Sequence, residues 1–132
     1  NVGGIATSGR HGRSLSRGIA DSVTVLASSA ANADVAATLI ANAVDLPIHP
    51  EIARRPANDV VDDSDLGARP VVVGCGPLDA PDRDIALKAG LGCALTMVNQ
   101  NLIHAAALFL QGDALATDTK LLSSHSRTQE YA

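Results

Sequence analysis

Aromatic side chains are almost missing from this chain: Phe109 and Tyr131 are the only two, and there is no Trp. Any core must therefore be assembled from Ala, Val, Leu and Ile, which bury little area each, and such a core gains from a partner surface. Cysteine is scarce too. Cys75 and Cys93 form no CxxC pair and no zinc-type spacing, and their apolar surroundings read as those of two buried thiols. His11, His49, His104 and His125 contain no HxxxH or HxH pair, which removes the usual zinc-ligand patterns. No apolar run of about 18 residues and no secretory signal occurs, so no membrane span is expected and the expected location is the cytoplasm. The formal net charge of −4 carries no nucleic-acid signature.

What is present is a chain of 132 residues, 46% of them hydrophobic, enough for one domain with a single modest core. Charge is unevenly spread. Residues 1–20 hold Arg10, Arg13 and Arg17 and no acid, whereas Asp59, Asp62, Asp63 and Asp65 cluster together. The acidic run lacks the Gly and terminal Glu of an EF-hand and reads as a solvated loop or an ion-pair partner for the arginines.

Residues 3–8 read as a short strand or extended entry, and 8–18 (SGRHGRSLSRG) as a loop. SVTVLA (22–27) alternates as a strand. Residues 30–45 are Ala-rich, with Val35, Leu39 and Ala43 at helical spacing and Ser29 or Asn32 as cap. Leu46-Pro47 stops that helix. Residues 47–69 look irregular, with a short helical turn around 50–55. PVVVGC (70–75) reads as a strand, Pro81 opens a helix to about 98 that Gly90 and Gly92 weaken, and 102–111 read as a further strand. The expectation is an α+β domain over 1–113, with helices packed on one face of a sheet, followed by a polar tail over 114–132.

Three groups of residues carry chemistry. In Ser8-Gly9-Arg10-His11-Gly12-Arg13-Ser14, glycines let the backbone approach a ligand and arginines clamp phosphate or carboxylate, so the segment is a candidate anion-binding loop, with a solvated basic turn as the alternative. It lacks the Gly-Lys-Ser/Thr of a P-loop. Asp34 and Thr38, four residues apart on one helix, share a face where a carboxylate and a hydroxyl can hold Mg2+ with water and ligand phosphates; a helix-start acid and a back-bonding Thr are the alternative. Thr7-Ser8 offers hydroxyls that read as loop hydrogen-bonders.

ATSGR (6–10), SVTVLA (22–27) and ANADVAAT (31–38) follow one another as in ApbE-like proteins, where a TSG segment precedes a strand resembling SVTV and a helix beginning ADALST. The chain resembles the C-terminal part of that superfamily, related to enzymes that transfer FMN from FAD to proteins, and is most similar to an uncharacterised branch of it. The resemblance implies a T-fold-related sheet. It matches Asp34 and Thr38 to the family's Mg2+ ligands, and Thr7, Ser8 and Gly9 to a segment near the bound nucleotide. Arg10, His11 and Arg13 complete the expected flavin-nucleotide or phosphate contacts. In the transferases a His-Ile-Asp-Pro-type motif with a following Thr-Gly lies between TSG and SVTV, whereas here the interval is HGRSLSRGIAD. The implied activity is that of a Mg-dependent FMN-transferase-like enzyme using FAD or FMN. A non-catalytic nucleotide-binding module or a structural subunit is the alternative. The opening Asn1 and the immediate start of the match give the further expectation of a partner, either the upstream half of the same precursor or a second copy.

Overall fold

A computed structural model describes residues 2–11, 15–62, 64–120 and 122. Four antiparallel strands form one sheet in the order β1-β2-β5-β6: β1 (Gly4–Ser8), β2 (Ser22–Ala27), β5 (Ala105–Leu110) and β6 (Asp113–Ala116). A separate two-stranded sheet pairs β3 (Ile52–Pro56) with β4 (Pro70–Cys75), and a register shift lies between Ala53 and Arg54. The helices are α1 (Ala30–Ala43), the one-turn α2 (Ala57–Val60) and α3 (Ala80–Asn99). The chain is an α+β domain, as its sequence pattern implied.

The alternation of β2 explains the layering. Val23, Val25 and Ala27 are fully buried, while Ser22, Thr24 and Leu26 face the other way. Val23 and Val25 pair across the ladder with Leu108 and Ala106 of β5, so one apolar face spans the central strands. Helices α1 and α3 pack side by side on that face and join its core. The core is indeed Ala, Val, Leu and Ile, with no aromatic in it. Ser29 is the cap of α1: its side chain accepts the Asn32 N–H at 3.1 Å. Pro81 sits in the first turn of α3, where a missing N–H costs nothing.

The structure departs from the sequence reading in four places. The face of α1 that meets the core is Ala33, Ala36, Ala37, Ile40 and Ala41, whereas Val35 and Leu39 are 60% and 50% exposed. Small side chains let the helix lie close to the sheet, so size and not hydrophobicity decides which face goes in. Residues 52–56 form a strand and not the expected helical turn, because pairing with β4 overrides a segment with no clear period of its own. The sheet also runs past residue 113: Ala114, Leu115 and Ala116 continue β6 and pair with Phe109, Leu108 and Ala107. Most of the expected tail, residues 121 and 123–132, lies outside the described residues. Both cysteines are half-buried, not fully buried. Among the described residues, no helix is long and apolar enough to cross a membrane.

Candidate anion-binding site

The basic loop leaves the sheet where β1 ends. Gly9 is needed there because a Cβ at that position would collide with the Asp21 carbonyl oxygen. The close crossing lets the Arg10 N–H donate to the Ala20 carbonyl at 3.0 Å, just beyond the end of the β1–β2 ladder. The preceding Thr7 points to the face opposite the helices, where its hydroxyl lies 3.0 Å from that of Thr24.

Beyond Gly9, Arg10 and His11 meet Asp21. The His11 Nε2 lies 3.0 Å from Asp21 Oδ1 and 3.1 Å from Arg10 Nη1. One ring nitrogen cannot both accept from Arg10 and donate to Asp21. Donation to the carboxylate is the stronger, charge-assisted choice. Among the described residues Arg10 then has no acceptor for that Nη1–H. Its Nε is buried and has no hydrogen-bond partner among the described residues either. Among the described residues, no ion pair uses the Arg10 guanidinium. The loop therefore presents a cation with unused donors beside an imidazole oriented by a carboxylate.

Asp21 is itself held by the fold. Its N–H donates to the Phe109 carbonyl at 2.9 Å, and its Oδ2 accepts the Gln111 backbone N–H at 2.7 Å. Gln111 and Gly112, with φ of 48° and 89°, form the two-residue turn between β5 and β6, the mirror-image geometry that suits a hairpin. Gln111 is an unusual occupant of the left-handed region, and its side chain is tied down: Oε1 accepts the Leu78 N–H at 2.9 Å and Nε2 donates to the Gly76 carbonyl at 2.8 Å. The same amide group lies 3.7 Å from the Cys75 sulfur. Burial pushes the Cys75 thiol up; Arg10 and Arg54 pull it down, while Asp21 and Glu51 add to the rise.

Of the residues expected at the site, the structure brings together Gly9, Arg10 and His11, with Ser8 half-buried just before them. Gly12, Arg13 and Ser14 lie outside the described residues. Asp34 and Thr38 are elsewhere. Both are exposed on α1, and the Thr38 hydroxyl donates to the Asp34 backbone carbonyl at 3.1 Å. The basic loop touches α1 at its other end, where the Ile19 N–H donates to the Val44 carbonyl at 2.8 Å. Ten residues of helix-length chain separate Asp34 from Val44, roughly 15 Å along the axis. The Asp34 carboxylate and the Thr38 hydroxyl lone pairs are hard oxygen donors suited to Mg2+. They do not form one magnesium–phosphate centre with Arg10 in this chain, and among the described residues no group of three or more His, Cys, Asp or Glu is placed to hold a metal. Asp21 and Gln111 carry no motif signal in the sequence, and Cys75 reads there only as a buried thiol. The one available signal was that Asp21 is the sole acid among residues 1–33.

Fold and site together define an α+β domain whose central sheet carries a cationic loop at one end. The model of a family described as AbpE bacteria matches residues 1–116, and the chain belongs to that family. Comparisons with curated proteins and with solved structures return no match.

Proposed function

We propose that the chain is an ApbE-related domain that binds a phosphorylated small molecule at the Arg10–His11 loop. The observation that supports this is the Arg10 guanidinium, which has a buried, unpartnered Nε and an Nη1 facing a histidine that Asp21 already engages. An incoming phosphate oxygen would accept the Nη1–H at the edge that faces His11, a charge-assisted contact. His11, fixed by Asp21, adds a ring facing the same anion. Kinship with the flavin-transferring ApbE proteins makes a flavin nucleotide, FMN or FAD, the ligand to try first.

Mg2+ enters this reading through Asp34 and Thr38, which would hold it on the outer face of α1 with ligand phosphates and water. Bound there, the ion would neutralise phosphate charge. Because Asp34 lies ten residues of helix from Val44, where Ile19 meets α1, an FMN-transferase-like reaction would need a second surface, from the upstream part of a longer precursor or from a second copy, to complete a pocket around Asp34. The same separation favours a second reading, a binding module without turnover.

Titrating FMN and FAD by flavin fluorescence, with and without Mg2+, tests the binding. Wild-type chain should bind saturably, and Arg10→Ala should weaken binding about tenfold or more, the worth of one charge-assisted contact. Unchanged affinity in Arg10→Ala rejects the site. Release of AMP from FAD in the presence of Mg2+ and an acceptor protein separates transferase from binding module.

A further inference from the structure

A cavity of about 440 Å³ opens between the end of α1, the β3–β4 hairpin and the second half of the basic loop. Its polar lining is Arg17, Asn42, Asp45 and Arg54, and Pro47 and Pro70 supply apolar wall. We infer that this cavity binds a small organic anion with one oxyanion head group, its carboxylate or phosphate on Arg17 and Asn42 and its apolar body against the two prolines.

The walls are fixed before any ligand arrives. Arg54 ties three of them together: Nη2 donates to Asp45 Oδ1 at 2.6 Å and to the Leu46 carbonyl at 3.1 Å, and Nη1 to the Arg17 carbonyl at 3.1 Å. The Arg17 N–H in turn donates to Asn42 Oδ1 at 3.1 Å. Asp45 cancels the charge of Arg54. What remains is the Arg17 guanidinium, which has no side-chain partner among the described residues, and the Asn42 amide nitrogen, whose oxygen alone is engaged. The lining thus carries one positive charge in excess and donors without acceptors, which selects a single oxyanion.

The negative end of the α1 dipole opposes an anion here. Two nearby carbonyls are turned to partners, however: Val44 accepts the Ile19 N–H and Leu46 accepts Arg54. The volume falls within the range of ordinary ligand pockets. Proline walls add a rigid apolar surface, so a bare inorganic ion uses only part of the site.

The test is an NMR titration of the 15N-labelled full chain with phenyl phosphate, inorganic phosphate and benzylamine. Phenyl phosphate should shift the Arg17 and Asn42 amides saturably and more tightly than inorganic phosphate, and benzylamine should not. Arg17→Ala, and Arg17→Gln as the more conservative loss of charge, should weaken that binding about tenfold. Arg10→Ala should leave it unchanged, which keeps the result separate from the loop described above. Absent shifts at Arg17 and Asn42, equal binding of inorganic phosphate, binding of benzylamine, or indifference to both Arg17 variants overturns the inference.

Discussion

Two glycines in α3 ought to respond to the same substitution in opposite ways. Gly92 is exposed and a Cβ there meets nothing within 4 Å. Gly90 is buried where α3 crosses the end of α1 and β5; a Cβ would strike Val44 Cγ2 and come within 2.7 Å of Leu108 Cδ2. Alanine in a helix interior is better than glycine by about 0.8–1.0 kcal/mol. At position 92 that gain stands alone, so Gly92→Ala should stabilise the chain by about 1 kcal/mol. At position 90 the same gain, and about 0.8 kcal/mol for burying a methyl, meet an overpacking cost of about 1–3 kcal/mol. Val44 is β-branched and stiff, and both Val44 and Leu108 are fully buried, so the upper part of that cost applies. Gly90→Ala should therefore destabilise by about 1 kcal/mol, a gap of about 2 kcal/mol between the two variants. Urea unfolding at matched m-values reads this directly. Adding Val44→Ala to Gly90→Ala should recover part of the loss, because one of the two collisions disappears. Equal stabilisation by both single alanines would refute the close packing of α3 on α1.

Arg54→Met should cost about 2–3 kcal/mol by leaving Asp45 and the Arg17 and Leu46 carbonyls without their donor, seen as a lowered thermal midpoint. Burial raises both Cys75 and Cys93 above 9.0, so iodoacetamide should modify them more slowly at pH 8 than it modifies free cysteine. In a Cys93→Ser background, Arg10→Ala should slow Cys75 further, because Arg10 is the largest influence holding that thiol down. Faster modification would remove Arg10 from the neighbourhood of Cys75. The same shifts set a pH trend: the stability they contribute is fully present below 9.0 and is lost as pH rises through the folded values, since the unfolded chain releases its protons first. Unfolding free energy should thus fall above about pH 9, and a flat profile there in wild type alongside Cys75→Ser/Cys93→Ser would show that neither thiol is buried enough to matter. Asp34→Asn should keep the fold and abolish any Mg2+ dependence of flavin-nucleotide binding; retained dependence removes Asp34 as a ligand.

The legible parts of the fold were those with strong local signals. β2 alternates strictly, β4 is an apolar run closed by Gly76-Pro77, and α3 carries Pro81 at its start. The opaque parts were set by tertiary contact. IARRP shows no strand period, yet its arginines and proline sit in β3 because β4 offers a pairing edge. Helical spacing of the large residues does not reveal the buried face of α1, because those residues are on the outside. Val35 and Leu39 line a groove of about 170 Å³ with Met97 and Leu102, while alanines fill the narrow space over the sheet. Hydrophobic periodicity ranks residues by size as much as by polarity, and in an Ala-rich helix that ranking can invert the answer.

The site was half legible for a related reason. A cationic, glycine-rich loop announces itself by composition, but the groups that make it usable come from other segments. Asp21 follows the loop by ten positions from His11, Gln111 arrives from a hairpin turn and Cys75 from the end of β4. No spacing rule links residues that a sheet brings together. Asp21 nevertheless had a reason to stand out, as the lone acid in the first 33 residues. Its two carboxylate oxygens serve different ends. Oδ1 orients His11 and so leaves Arg10 without an acceptor, while Oδ2 holds the left-handed Gln111 on which the β5–β6 turn depends. The availability of Arg10 for an anion is therefore a by-product of how the sheet is closed, and the two cannot be altered independently through Asp21. Substitution at Arg10 itself is the change that separates the proposed binding from folding, since its backbone N–H, not its side chain, carries the contact to Ala20.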